Sequence, residues 1–242
     1  MPLYTADALV LRTYKLGEAD RIVVFLTRDR GKKRGVAKGA RRQRSPFLGA
    51  LEPLTEARVA YFEKERRELV GLNYAETVRS PLMLAGSAAG GAGEGIPGAN
   101  GREGRRAVHP EALGYVSYFA ELLDEWAQDA DADDRLYRLG ASMLDALAAG
   151  APVEPLARYF EYWLLRLQGV YPESRGTLSA AAMAFLAGAR GVPPHRIAEV
   201  PSERGTLREL EQVHRALIAM HLEKTLKSDR VIRDLRRHEQ GA

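Results

Sequence analysis

Residues 28–44 read RDRGKKRGVAKGARRQR, and nine of these seventeen positions are Lys or Arg while only Asp29 is acidic. Like charges gathered this closely repel one another unless an anion sits among them, and a phosphate backbone is the natural one. Each phosphate neutralised by a cation releases condensed counterion, and arginine adds planar forks that pair with phosphate and stack on bases. The strand pattern predicts Lys32, Lys33 and Arg34 at the turn into a third strand, Lys38 on that strand, and Arg41, Arg42 and Arg44 just beyond it. A second charged turn carries Lys64, Arg66 and Arg67. These ten side chains form the candidate nucleic-acid-binding set, expected to line one groove. Tyr14, Phe25 and Phe47 are the nearest aromatics for base stacking. The charge pattern does not distinguish DNA from RNA.

Other chemistries lack their residues. The chain contains no cysteine, which excludes disulfides, thiolate zinc sites and cysteine nucleophiles. GEGIPG (93–98) formally matches a dinucleotide fingerprint, but no strand precedes it, no amphipathic helix opens on its glycines, and Pro97 interrupts it. RDRGKKRG lacks the spacing of a Walker phosphate loop. His214 and His221 lie seven residues apart without an evident third ligand, so neither a metal nor a cofactor is expected. No nucleophile, base and oxyanion donor come together. The residues describe a binder, not an enzyme.

The elements that must position the cations change character along the chain. Residues 6–80 alternate with the period of strands: ALVLRTYKL, with Leu9 and Leu11 opposite Val10 and Arg12, then a polar turn at Gly17 to Asp20, then Ile22 to Leu26. Gly35 to Lys38, PLTEARVAYFEKE and RELVGLNYAETV complete five strands, the last two joined by the charged turn. That count and spacing predict a small closed barrel of the OB type. From residue 111 the period becomes helical. Leu113, Val116, Phe119, Leu122, Leu123 and Trp126 share one face, and Leu156, Tyr159, Phe160, Trp163, Leu164 and Leu167 share another. DRLYRLGASMLDALAAG predicts a helix starting near Asp133 or Asp134 and ending before Gly150, and Ser202 or Thr206 is expected to cap a long helix towards Lys227. The acidic cluster Asp129 to Asp134 suits a helix start.

The fold class is therefore α+β: an N-terminal five-stranded OB-fold β-barrel (1–80), a Gly/Ala-rich linker (81–110) and an all-α helical bundle domain (111–242). Residues 1–85 hold 17 Lys/Arg against 10 Asp/Glu, whereas the remainder holds 19 against 22, which assigns the polyanion to the front end. No apolar stretch approaches a membrane span, and Arg12 and Lys15 break the only apolar run near the start, so a cytoplasmic, nucleoid-associated protein is expected.

ALVLRTYKLGEADRIVVFLTRDRGKKRGVAKGARRQRS, followed by LEPLTEARVAYF, resembles the amino-terminal domain of the bacterial recombination mediator RecO family. YFEYWLLRLQGVYP and HLEKTLKSDRVIRDL resemble that family's helical domain, and the family's AKGARR element falls on Ala37 to Arg42. The resemblance implies a non-catalytic DNA repair and recombination protein that binds single- and double-stranded DNA and anneals complementary strands. It implies RecR and the C-terminal tail of single-strand-binding protein (SSB) as partners in promoting RecA loading. Many relatives carry a four-cysteine zinc element where this chain reads GVYPESRGTLS, so no zinc is implied here. An acidic, apolar-ended tail needs an apolar groove rimmed by cations, for which Arg135, Arg138, Arg158 and Arg166 are the candidates. Lys224, Lys227, Arg230, Arg233, Arg236 and Arg237 form a second basic surface, serving DNA or a partner. Two readings of other classes compete: an RNA-binding OB-fold factor in translation or ribosome assembly, and an adaptor whose basic face meets an acidic protein.

Overall fold

Alternating apolar and polar residues over the first third of the chain build five strands, β1 (Leu3–Leu16), β2 (Asp20–Thr27), β3 (Gly31–Ala37), β4 (Glu56–Phe62) and β5 (Val70–Arg79). The computed structural model describes residues 2–63, 68–81, 110–172, 178–223 and 226–240. The sheet closes on itself in the order β1-β2-β3-β5-β4. All pairings are antiparallel except β3 with β5, which run parallel over Gly35–Ala37 and Val70–Leu72. This is the expected OB-type barrel. Ala8, Val10, Val23, Phe25, Val59, Tyr61 and Leu72 fill its interior.

One irregularity governs what the barrel shows to the outside. The β1–β2 register shifts between Val10 and Arg12, leaving Leu11 as an extra residue. Strict alternation from Leu9 puts Arg12 and Tyr14 on the inner side with Val10. The bulge reverses that parity. Arg12 pairs with Val24 and Tyr14 with Ile22, both on the outer face with Leu9 and Leu26.

The helical part comprises α1 (Pro110–Trp126), α2 (Asp134–Ala148), α3 (Val153–Leu167), α4 (Ala180–Gly191), a 3-10 turn (Pro194–Glu199), α5 (Arg204–Leu222) and α6 (Lys227–Gln240). Asp133 is the N-cap of α2 and accepts from the Leu136 backbone N–H at 3.0 Å, as its sequence position predicts. The helix expected to run towards Lys227 ends at Leu222, and Lys227 opens α6. Glu223 adopts a left-handed conformation (φ 53°) and stops α5, and neither Ser202 nor Thr206 caps its start. The Gly/Ala-rich linker falls almost entirely on residues 82–109, outside the described residues. No helix among the described residues is long and apolar enough to cross a membrane.

Barrel and helices share one core. Leu9, Leu11, Val24, Leu26 and Leu54 from the outer face of the sheet pack in the same cluster as Phe119, Leu122, Leu123 and Leu136. Along the margin of that contact, acidic residues of the helical part meet cations of the barrel. Arg12 reaches Glu121 at 3.3 Å and Asp124 at 3.4 Å, and Arg28 reaches Asp134 at 2.8 Å. Lys32 donates from Nζ to the Asp124 carbonyl at 2.7 Å. The edge of β3 continues into the segment after α1, through Lys32 N–H to Gln128 O and Ala130 N–H to Lys32 O, each at 3.1 Å. The acidic cluster at the start of α2 is thus part of a clamp as well as a helix start.

Gly31 sits where that segment crosses. Its φ is +67°, and a Cβ added there would collide with the backbone of Asp131. Gly17 has a similar φ of +57°, but a Cβ added there would meet nothing within 4 Å. Gly17→Ala is expected to cost only backbone strain, about 1–2 kcal/mol. Gly31→Ala adds a backbone clash and should cost clearly more; equal urea midpoints for the two variants would refute the tight crossing.

Glu121 ties three elements together. It accepts from the backbone N–H groups of Lys227 (3.1 Å) and Ser228 (2.7 Å) and from Ser228 Oγ (2.5 Å), with Arg12 alongside. Burial raises its carboxyl pKa, but the Ser228 and Lys227 hydrogen bonds and the Arg12 charge outweigh that and hold it below the ordinary value. A depressed folded-state pKa means stability that is present above the ordinary carboxylate range and is lost as pH falls through the folded value. Glu121→Gln should therefore unfold at lower urea than the parent at neutral pH. The gap should close as pH falls through the depressed folded-state value, whereas a gap independent of pH would count against this role.

Candidate nucleic-acid interface

Strand pairing sorts the basic run by face. Residues 32–34 lie on β3 itself, not in a turn before it, so successive side chains point to opposite sides. Lys32 is turned under α1, where it is buried and paired with Asp124 and Asp129. Lys33 points the other way and meets Glu63 at 2.7 Å. Arg34 is exposed, beside Val24 on the outer face. The expected alignment of Lys32, Lys33 and Arg34 along one groove is therefore not what the structure contains: alternation turns Lys33 to the other face, α1 covers Lys32, and of the three only Arg34 is exposed.

The outer face of β1–β2–β3 carries two cross-strand rungs, the first with its Val24 in the core shared with α1 and the second next to it. One is Arg12–Val24–Arg34 and the next is Tyr14–Ile22–Val36. Tyr14 is 46 % exposed, and Arg12 donates to its hydroxyl at 3.4 Å. Phe25 and Phe47, the other two stacking candidates, are buried in the barrel core, although Phe47 also lines a cavity between β3 and β5. Tyr14 alone of the three is exposed.

The arginine turn closes this face at one end. Gly39 N–H donates to Asp20 Oδ1 at 2.7 Å, Arg41 N–H donates to the Ala19 carbonyl at 2.9 Å, and Arg41 Nη1 donates to the Gly17 carbonyl at 3.1 Å. These bonds dock residues 39–41 onto the β1–β2 turn, and they place Arg41, Arg42 and Arg44 exposed at the rim next to Lys38. Among the described residues, Arg34, Lys38, Arg41, Arg42 and Arg44 form no ion pair with a carboxylate. By contrast Arg12, Arg28, Lys32 and Lys33 are each paired. Lys64, Arg66 and Arg67 lie outside the described residues. The strand 2–3 face and the β1–β2 turn are the surface on which OB folds hold oligonucleotides.

The four arginines singled out on the helices do not act together. Arg158 is buried, with Nη2 on Glu161 at 2.8 Å and Nη1 3.6 Å from Glu211. Glu161 also accepts from Tyr118 Oη at 2.7 Å and faces His214 Nδ1 at 2.9 Å, so Arg158 belongs to a buried internal network. Arg135 and Arg138 are exposed at the start of α2 and face Asp133 and Asp134. Arg166 is different. It stands with Arg190 over a cavity of about 420 Å³ lined by Tyr162, Tyr171, Met183 and Leu186. Its Nη1 donates to Tyr162 Oη at 3.0 Å, and neither Arg166 nor Arg190 has an ion pair among the described residues. Burial, then the neighbouring Tyr162, push the Tyr171 phenol up to about 12, which keeps it a neutral donor. Sequence reading missed Arg190, which the α4 pattern shows only as a basic residue in a last turn. Lys227 and Arg230 of the terminal basic segment are exposed, and Lys224 lies outside the described residues.

The family described as Recombination protein O N terminal matches residues 1–81, and Recombination protein O C terminal matches residues 109–176. A DNA repair protein RecO of Koribacter versatilis is 36 % identical over 171 residues, covering 71 % of this chain and 61 % of the relative. One from Anaeromyxobacter sp. (strain K) is 36 % identical over 164 residues, covering 68 % and 56 %. One from Bifidobacterium adolescentis is 55 % identical over 78 residues, covering 32 % and 31 %. The first two matches thus span about three fifths of those relatives' own length.

Proposed function

Since the chain belongs to the recombination protein O family, with its N- and C-terminal domains matched in order, we propose that it is a non-catalytic DNA repair and recombination mediator. It binds single- and double-stranded DNA through the outer face of β1–β2–β3 and the arginine turn. The observation that carries this function is the set of five exposed cations without carboxylate partners among the described residues, Arg34, Lys38, Arg41, Arg42 and Arg44, around a Tyr14–Ile22–Val36 rung in which Tyr14 is exposed and Ile22 and Val36 are half-buried. Side chains on this face neutralise backbone phosphate whatever the sequence. Screening of strand–strand repulsion then lets complementary strands meet, which is the physical basis of annealing. The face offers cations and an aromatic ring rather than a nucleophile with its base, and its task is to position strands.

The helical part contributes the partner surface. The cavity beneath Arg166 and Arg190 has an apolar floor and a cationic rim, the chemistry that an acidic, apolar-ended SSB tail requires. Capture of coated DNA there, together with RecR, would bring RecA to the gap.

About five engaged phosphates on a single strand give a log–log salt slope of roughly −3.5. Replacing Arg41, Arg42 and Arg44 with Gln should move the slope towards about −1.4 with the melting temperature unchanged. An unchanged slope would remove the arginine turn from the interface. An RNA strand that outcompetes DNA of the same sequence would favour the translation or ribosome-assembly reading instead. For the partner surface, Arg166→Glu with Arg190→Glu should abolish binding of a fluorescent SSB-tail peptide, while Arg135→Glu with Arg138→Glu should leave it intact; the reverse pattern would relocate the tail.

A further inference from the structure

The outer rung that begins at Tyr14 does not stop at β3. Pairing carries it across all five strands: Tyr14 on β1, Ile22 on β2, Val36 on β3, Gly71 on β5 and Phe62 on β4. Four of these are large and apolar, and the fifth has no side chain. Above that gap lies a cavity of about 680 Å³, lined by Val36, Phe62, Leu69 and Gly71, with Lys38 beside them. A Cβ at Gly71 would meet nothing within 4 Å, so the missing side chain opens onto empty space.

Two polar groups meet this apolar floor. The β4–β5 register shifts between Ala60 and Tyr61, where Tyr61 pairs with Leu72 and Ala60 with Tyr74. Asn73 is the extra residue of that bulge, and it is exposed and lines the cavity with Glu68. Bulges re-aim side chains beside binding sites. An Asn amide offers a donor and an acceptor, and a carboxylate offers acceptors for an exocyclic amine.

We infer that this β3–β5 cavity takes a single unstacked nucleobase of a bound DNA strand, with Asn73 and Glu68 at the base edge and Lys38 on the adjoining phosphate. The inference deepens the DNA-binding reading above and rests on it. The charge pattern selects the occupant, because the cationic side of the cavity continues into Lys38 and the arginine turn, where a polyanion runs. A flat apolar floor of strand side chains suits a base face. Duplex DNA keeps its bases stacked, so the pocket discriminates between single and double strands.

The test compares a short oligodeoxycytidylate with the same backbone carrying abasic sites. Base stacking on a protein surface is worth a factor of about 5 to 150 in affinity. The parent protein should prefer the intact strand by a factor in that range. Gly71→Ile fills the cavity and Asn73→Ala removes the edge contact. Each should bring the ratio towards one, with the salt slope and duplex binding unchanged. Asn73 is exposed, so its variant keeps the test open if Gly71→Ile fails to fold. A parent ratio of one, or a ratio that both variants preserve, overturns the pocket and leaves the DNA reading intact. Failure of the parent to bind either strand overturns both.

Discussion

The packing of α1 against the outer face of the β-sheet is the constraint from which the remaining arrangement follows. Leu9, Val24 and Leu26 are apolar on a surface that an isolated barrel would expose, and they gain burial only because Phe119, Leu122 and Leu123 cover them. Covering that surface also brings the acids of α1 and its following segment onto Arg12 and Lys32. Partly buried ion pairs of this kind contribute little net stability against a well-packed apolar alternative, but removing one partner leaves the other charge unsatisfied. They therefore specify how the barrel and the helices sit together more than they strengthen the contact.

The same contact divides the basic run into two populations. Cations under or beside the helices are neutralised within the protein. Those beyond the edge of α1, from Arg34 through Lys38 to the arginine turn, keep their charge without a carboxylate partner among the described residues. The self-repulsion that makes a dense basic run costly is thus relieved at one end by internal acids and left at the other without a carboxylate partner among the described residues, where the proposed DNA strand would sit. The helical part repeats the division. Arg158 is consumed by Glu161 and Glu211, whereas Arg166 and Arg190 stand over an apolar cavity with no ion pair among the described residues.

Much of this was legible in residue order. Five strand-period segments predicted the barrel, the helical stripes predicted the cores of α1 and α3, and Asp133 or Asp134 and Gly150 marked the limits of α2. The cluster at 28–44 marked where exposed cations gather on the barrel, at Arg34, Lys38, Arg41, Arg42 and Arg44. Less legible were the functions of individual cations, because strand alternation, bulges and helix coverage act on them separately. Nothing in GKKRG announces that Lys32 meets Asp124 while Arg34 meets solvent. The end of α5 was also hidden: its left-handed terminus is a glutamate, a residue type that carries no stop signal.

The sequence by itself determined the element types, the uneven charge and the absence of thiol chemistry, since these depend on residue type and on periods of two and 3.6 along one stretch of chain. Tertiary structure decided the parity of β1 through the bulge at Leu11, the coverage of Lys32 by α1, and the meeting of Val36, Gly71 and Phe62 on one rung. The physical reason is that pairing and burial join residues distant in the chain, and a single extra residue in a strand reverses which face every later side chain presents.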